Sequence, residues 1–368
     1  MEPATRGRRV GIRRTQPGGA ETNVSNPYEI RRVDPDRTAD WGQFVEDHPA
    51  ATVFHSRAWL VAVESAFGYD PRHVLVYETG GTDPVGAVPG FSIPGIAGRS
   101  VLNPFCEYGF PLLAADVDPV PVLQVLSADV GPLGARILKD AEWTDIGGYN
   151  PAGYGAVPTG EVIRLDTARP FETVRETSFS AEARRCVRSA RVDLTVRPGS
   201  ISAYHSLYLE TMRRLGSPQF PEAFLLDLAA ELGDDLLVLL AEREGEVVGG
   251  LLALDHGETR VIWGSASRRE AWDLHPNHRL YAAAIRDACE TDLAVVDFGR
   301  SRPGTGVHGF KRQFGGRRSS LVSFVAPPHR AGRASLSGYG RVASVAERLG
   351  PLLTHPAIGP RLKRFVHE

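Results

Sequence analysis

Lysine is scarce in this chain: of 42 basic side chains among 368 residues, only Lys139, Lys311 and Lys363 are lysines, and arginine carries the rest of the positive charge. A composition bias accounts for the scarcity but does not choose where the survivors sit. Cysteine is equally sparse. Cys106, Cys186 and Cys289 stand far apart, in no Cys-x-x-Cys or Cys/His ligand spacing, which excludes a disulfide framework, points to no metal site and makes the cytoplasm the default compartment. Net charge is close to nil. A formal −2 supplies no global field to hold the chain on nucleic acid or an anionic membrane, so any anion recognition must be local. No apolar run approaches the roughly 18 residues of a membrane span, and Arg6, Arg8, Arg9, Arg13 and Arg14 are followed by no signal-peptide core.

What is present is a globular α/β pattern long enough for two cores, with 42% hydrophobic residues. Residues 1–26 hold almost no bulky apolar side chain and read as a disordered basic arm. Residues 27–168 alternate a strand near 28–34, helices near 37–47 and 56–67, strands at 72–77, 85–88 and 100–102, a helix near 119–129, and strands at 135–140 and 162–165. Residues 169–327 open with a single basic helix over 172–191 carrying Arg184, Arg185, Arg188 and Arg191. Helices near 200–215 and 221–232 follow, then a meander of strands at 236–243, 246–255 and 259–266 turning at Gly245 and at Asp255–Glu258. A helix with Leu280, Ala284 and Ala288 on one face and Asn277 as its N-cap leads to a buried strand, Leu293 to Phe298. Residues 328–368 form a tail of interspersed Arg, Lys363 and apolar residues with a helical stretch near 339–349; it could rest on an anionic membrane or pack against the domain.

The densest motif is Asp297-Phe-Gly-Arg-Ser-Arg-Pro-Gly-Thr-Gly-Val-His-Gly-Phe-Lys311-Arg-Gln-Phe-Gly-Gly316. It closes an apolar strand, turns through glycines and reaches a lysine. Arg300, Ser301 and Arg302, followed by Gly304 and Gly306, suit a backbone nest with guanidinium forks for phosphate; an ordinary Pro-Gly turn with exposed arginines is the alternative. Asp297 reads as structural, fixing the turn or pairing with Arg300.

The order of elements is that of an acetyltransferase-like (GNAT) unit, preceded by a degraded version of the same order. The Phe-Lys-x-x-Phe-Gly core, together with Arg213-Arg-Leu-Gly-Ser-Pro218, Trp263-Gly-Ser-Ala-Ser267, Pro276-Asn277, Phe54-His-Ser-Arg-Ala-Trp-Leu60, Ala66-Phe-Gly-Tyr69 and Pro104-Phe-Cys-Glu-Tyr-Gly109, resembles FemAB-related acyltransferases over about residues 28–327. The resemblance implies an α/β protein of two tandem GNAT-like domains (the acyl-CoA N-acyltransferase fold) with mixed, largely antiparallel sheets and a cleft between them. It also implies that the strand at 319–326 returns to the first domain. The implied activity is amide formation on an amine of a cell-envelope or polysaccharide precursor, from charged tRNA or another activated acyl donor, in the cytoplasm or at the inner face of the membrane. Two departures bear on the donor. No segment is long enough for the helical-hairpin arm of the peptidoglycan ligases, which weighs against aminoacyl-tRNA. The turn Leu274-His-Pro-Asn-His-Arg279 carries no glycine to admit a pyrophosphate, which weighs against acyl-CoA. The usual tryptophan after the lysine is Phe314.

Acyl transfer to an amine needs a deprotonated nucleophile and a stabilised oxyanion. Lys311 is the candidate for the oxyanion or a carrier phosphate, against a solvated lysine on an amphipathic helix. Glu107 is the candidate general base, against a solvated turn carboxylate. Phe310, Trp263, Tyr108, Arg57, Arg279 and Asn277 complete the expected substrate-binding set. A CoA-dependent N-acetyltransferase and a binding protein that kept the fold are the alternatives, and no bound cofactor is implied.

Overall fold

The computed structural model describes residues 26–331 except 96–97, 132–133 and 142–147, together with residues 355 and 358–364. Nearly all of the N-terminal arm and the 339–349 stretch lie outside the described residues. The chain begins with β1 (Tyr28–Arg32), α1 (Ala39–Asp47) and α2 (Arg57–Phe67). Ser56 caps α2 by accepting from the Trp59 N–H, and Gly68 ends it in the left-handed conformation, which glycine adopts without a Cβ penalty. Short strands β2 (Asp70–Pro71), β3 (Val74–Glu78), β4 (Pro84–Val88), β5 (Phe91–Gly95), β6 (Gly98–Leu102) and β7 (Leu112–Leu113) follow, then α3 (Pro119–Ala128), β8 (Gly134–Ala141) and β9 (Gly155–Asp166).

The second half runs α4 (Phe171–Ser178), α5 (Ala181–Asp193), β10 (Thr195–Pro198), α6 (Ile201–Leu215), α7 (Glu222–Leu232), β11 (Leu236–Arg243), β12 (Glu246–His256), β13 (Thr259–Ser267), α8 (Pro276–Glu290), β14 (Val295–Asp297), α9 (Gly306–Arg312) and β15 (Arg317–Ala326). A short α10 (Gly359–Lys363) docks back near the C-terminus. The single basic helix expected over 172–191 is two helices. Phe179 is extended and buried against Phe171 and Phe314, and Ser180 starts a new helix by accepting from the Ala183 N–H. An apolar plug and a capping serine side by side outweigh the helical periodicity that runs through them.

Two sheets result. The smaller has the order β1-β3-β4-β7, and the larger is eleven strands long, β10-β11-β12-β13-β14-β9-β15-β8-β6-β5-β2. Pairing is antiparallel except at β13/β14 and β6/β8, the mixed, largely antiparallel arrangement expected. β15 lies between β9 and β8, so the last strand does return to the first half of the chain. β12 is buried along seven consecutive residues because helices cover both faces. At Gly249 a Cβ would stand 3.0 Å from Pro276 of α8, and at Gly250 one would stand 3.1 Å from Tyr204 of α6.

The halves also share a core. Trp59, Phe67 and Phe105 from the first meet Phe220, Phe224 and Trp263 from the second, with ring centroids 5.1–6.3 Å apart in the pairs Trp59–Trp263, Phe67–Phe220, Phe67–Phe224 and Phe105–Phe220. Interlocked aromatic edges and faces of this kind add about 0.5–1.5 kcal/mol per pair beyond area burial, which fixes the two halves against each other. Among the described residues no helix is long and apolar enough to cross a membrane.

Candidate active site

The site is built where the end of β14, the last turn of α9 and the loop between β6 and β7 meet. Asp297 closes β14 and is 1% exposed. Its Oδ1 accepts from the Gly299 N–H at 2.7 Å, which fixes the turn as the sequence suggested. Its ionic partner, however, is Arg164 of β9 (3.0 Å to Oδ2) and not Arg300, and Tyr108 donates its hydroxyl to the same oxygen. Strand neighbours decide this: β14 pairs with β9, so Arg164 stands opposite Asp297 in register. Tyr108 is therefore a buried cross-link between the halves, its ring 5.0 Å under the Arg164 guanidinium, and its phenol is pushed well up by burial and by Asp297. A buried hydroxyl already committed to a carboxylate has no surface to offer a substrate, which corrects its expected binding role.

Lys311 projects from α9 beneath this turn. It is 7% exposed, and Nζ donates to the carbonyls of Gly299 (3.2 Å) and Arg300 (2.9 Å). Burial lowers its pKa to about 8; Glu107 and Asp297 oppose that shift, and Arg300 adds to it. It is thus not a solvated surface lysine. An ammonium has three donors, and two are held by carbonyls. The glycines after Lys311 are dictated by close packing: at Gly315 (φ +81°) a Cβ would stand 2.6 Å from the Ser178 carbonyl oxygen. Phe314 is fully buried against Phe179 and Tyr281, filling the place of the usual tryptophan. Phe310, half-buried, stacks edge-on to His278 and Tyr281, both at 4.9 Å.

Glu107 lies across the same backbone turn. Oε1 accepts from the Arg300 N–H at 3.5 Å, and Oε2 is buried with no hydrogen-bond partner among the described residues. It is not the solvated turn carboxylate of the alternative reading.

Two residues absent from the expected set join here. Lys139 of β8 is 8% exposed and donates to the Cys106 carbonyl at 3.0 Å. Lys363 of α10 is 6% exposed, with Nζ 4.4 Å from the Phe220 ring centroid and 5.3 Å from that of Phe105, and it has no hydrogen-bond acceptor among the described residues. Burial, then Arg300, then Lys139 lower its pKa to about 8. All three lysines of the chain thus surround the Phe105–Glu107 segment, with Arg300 the common neighbour of Lys311 and Lys363. The described end of the tail packs into the body of the protein: Tyr69 donates to the Arg364 carbonyl, and a Cβ at Gly359 would meet the Gln219 side chain at 2.3 Å. The burial of Lys363 there corrects its place in a membrane-resting basic face.

The other expected residues divide. Trp263 donates Nε1 to the Phe105 carbonyl (3.2 Å) and so borders the cluster. The phosphate nest is not formed as drawn. Ser301 is 6% exposed, exchanges backbone hydrogen bonds with Glu161 and places its hydroxyl on His308. Arg302 is exposed, and Cβ positions at Gly304 and Gly306 meet open space. Arg57 lies apart, exposed and ion-paired with Asp36 (2.5 Å) and Glu231 (2.7 Å). At the head of α8 the N-cap is His275, in the left-handed conformation. Asn277 is the second helical residue; it donates Nδ2 to Ser267 at 3.2 Å and keeps Oδ1 buried without a partner among the described residues. Pro276 takes the first helical position, where its lacking N–H costs nothing, and displaces Asn277 from the cap. Arg279, half-buried, follows one turn on. Arg184 bonds the carbonyls of Glu176 and Phe179 at the end of α4, and Arg185 pairs with Glu182, so both serve local structure. His55 and Trp59 are core, each 0% exposed.

The sequence of residues 175–312 matches the family model of the acetyltransferase (GNAT) domain. No curated protein matches the chain significantly. Among solved structures, FemX superposes with a TM-score of 0.63 at 12% identity, covering 81% of this chain and 98% of that one. The C-terminal DUF2156 domain of a putative lysylphosphatidylglycerol synthetase from Agrobacterium fabrum gives 0.56 at 16% identity, covering 82% and 94%. A tandem GNAT protein from the clavulanic acid biosynthesis pathway gives 0.52 at 10% identity, covering 81% and 98%. At these identities the likeness is one of fold, and the fold is the tandem GNAT arrangement.

Proposed function

We propose a substrate class and a division of labour for a protein that is, by its domain and fold, a GNAT-type acyltransferase: it moves an activated acyl group onto an amine of an anionic cell-envelope precursor. The observation that carries this reading is the pairing of Glu107 and Lys311 across the Gly299–Arg300 turn, with Glu107 Oε2 buried and awaiting a donor. A buried carboxylate oxygen without a partner is costly, and an incoming ammonium supplies what it lacks. Glu107 takes a proton from that ammonium and leaves a neutral amine beside the acyl carbon. Lys311, held by two carbonyls, aims its third proton at the oxyanion that forms as nitrogen attacks. That attack forms the C–N bond; collapse of the tetrahedral intermediate then restores the C=O and expels the carrier's thiolate or ribose oxygen, which takes up the proton the nitrogen sheds.

An anionic acceptor follows from the charge balance. Lys139 and Lys363 repel each other, and their partners among the described residues are a backbone carbonyl and two aromatic rings. A phosphate-bearing substrate relieves that repulsion. The likeness in fold to a domain of a putative lysylphosphatidylglycerol synthetase fits an anionic envelope acceptor. Acyl-CoA and aminoacyl-tRNA are the two candidate donors.

Glu107→Gln tests the assignment. With labelled acetyl-CoA or a labelled aminoacyl-tRNA mixture and a nucleotide-linked precursor fraction, transfer of label into amide falls by about 10²–10³-fold while donor binding is retained. Transfer within about threefold of the unmodified protein would remove Glu107 from the chemistry.

A further inference from the structure

Cysteine and histidine spacing along the chain points to no metal site, because the relevant residues are separated by about ninety positions. In the folded chain they converge. Sγ of Cys186, on α5, and one ring nitrogen each of His275 and His278, at the head of α8, all lie within 4.8 Å of one another. One turn before Cys186, Glu182 brings Oε1 to 3.4 Å from Sγ. We propose that Cys186, His275, His278 and Glu182 form a zinc(II) site that pins α5 to the head of α8.

The donor set selects the ion. One thiolate, two imidazoles and a carboxylate are the ligands of tetrahedral zinc, and magnesium or calcium would call for oxygen alone. With Zn–S near 2.3 Å and Zn–N near 2.0 Å, ligand atoms around one ion stand roughly 3–4 Å apart. The Glu182–Cys186 distance already lies in that range, and the 4.8 Å span closes with about 1 Å of side-chain movement in two half-buried imidazoles.

The surroundings supply what ligands of a metal need around them. His278 Nε2 lies 2.9 Å from Gln313 Oε1; with that nitrogen donating, Nδ1 keeps the lone pair a metal takes. Arg185 grips Glu182 at both oxygens, with Nε on Oε2 at 3.1 Å and a terminal nitrogen on Oε1 at 2.6 Å, so it can hold Oε2 while Oε1 turns to the ion. Cys186 Sγ makes two long contacts, to Glu182 Oε1 at 3.4 Å and from a terminal nitrogen of Arg185 at 3.6 Å, and the two imidazole rings stand edge to face at 5.6 Å. Binding breaks the Sγ–H bond, forms Sγ–Zn and releases the proton to solvent. No oxidant or reductant enters.

The site would lie beside the catalytic cluster without touching the reacting atoms. His278 packs on Phe310, the neighbour of Lys311, and its hydrogen-bond partner Gln313 follows α9 directly. A bound ion therefore stiffens the joint on which Lys311 is carried. The proposal stands apart from the acyl-transfer reading, since either can fail alone.

The test uses the full chain, stripped with EDTA and titrated with Co²⁺. One equivalent is expected, with the near-ultraviolet thiolate-to-cobalt band and intense visible bands of a tetrahedral site, all displaced by Zn²⁺. Cys186→Ser abolishes the thiolate band, whereas Cys289→Ser leaves it intact. His275→Asn, which tolerates the left-handed backbone but is a poor zinc ligand, weakens binding by more than about tenfold and keeps the far-ultraviolet dichroism of the folded chain. Absence of a thiolate band in the unmodified protein, its survival in Cys186→Ser, or unchanged affinity in His275→Asn overturns the proposal.

Discussion

Lys311→Met lowers acyl transfer by about 10²–10³-fold, the loss expected when one preorganised oxyanion donor is removed. Methionine nearly matches the length of the lysine and suits a buried site, so the chain folds and the defect lies in the rate. The pH profile separates an ammonium from a neutral base. Burial lowers the Lys311 pKa to about 8, so as a donor to the oxyanion it becomes ineffective as pH rises past that value, and activity falls on the alkaline side. Lys311→Arg keeps the charge and removes that alkaline limb. Were Lys311 to act as a base, activity would rise through the same region instead. Stability carries the opposite sign. The folded pKa lies below the unfolded value of 10.5, so the unfolded chain binds more protons between about 8 and 10.5. The Lys311 contribution to stability is thus least favourable below 8 and improves as pH climbs through that window.

The second large effect is on folding. Asp297→Ala removes at one stroke the acceptor of the Tyr108 hydroxyl, the ion partner of Arg164 and the anchor of the Gly299 N–H. Breaking one side of a buried ion pair costs about 3–5 kcal/mol. The low end of that range is expected because Arg164 is 16% exposed and keeps other contacts. The denaturant midpoint reports it, since a lowered midpoint at unchanged slope is a loss of stability. A shift worth under about 1 kcal/mol would mean that Asp297 is replaceable by solvent. Tyr108→Phe costs less, about 1–2 kcal/mol, because it leaves one oxygen short of one donor but strands no charge.

How much of this was legible in the sequence varies with the physics involved. The β11–β13 meander and the Leu280/Ala284/Ala288 face of α8 could be read because local periodicity and turn chemistry agree there, whereas the return of β15 was implied by the family resemblance alone. The 172–191 helix could not. Phe179 and Ser180 preserve the pattern of a helix, and only tertiary burial of Phe179 against Phe314 reveals the break. The role of Asp297 was half legible: an aspartate before glycine announces a turn, but its partner Arg164 is a neighbour only through strand pairing. Lys311 was found through its motif, and the scarcity of lysine was itself a signal only partly used. Lys139 and Lys363 carry no motif, and 224 positions separate them, yet both flank the segment that holds Glu107. The burial of Lys363 was hidden because a tail rich in arginine and apolar residues has the same composition whether it rests on a membrane or packs on its own domain. Cys186 and the His275/His278 pair escaped for the same reason as Arg164, since helix packing, not chain order, brings them together.

The central claim is that Lys311 stabilises the oxyanion formed from an activated acyl donor. It is tested most directly by incubating the purified protein and its Lys311→Ala variant with a charged-tRNA mixture and, separately, with acetyl-CoA, and following release of the acyl group in the presence of a nucleotide-linked precursor fraction. The account predicts that one of the two donors is consumed by the unmodified protein and spared by the variant. Equal consumption by both proteins, or no consumption of either donor, would contradict it.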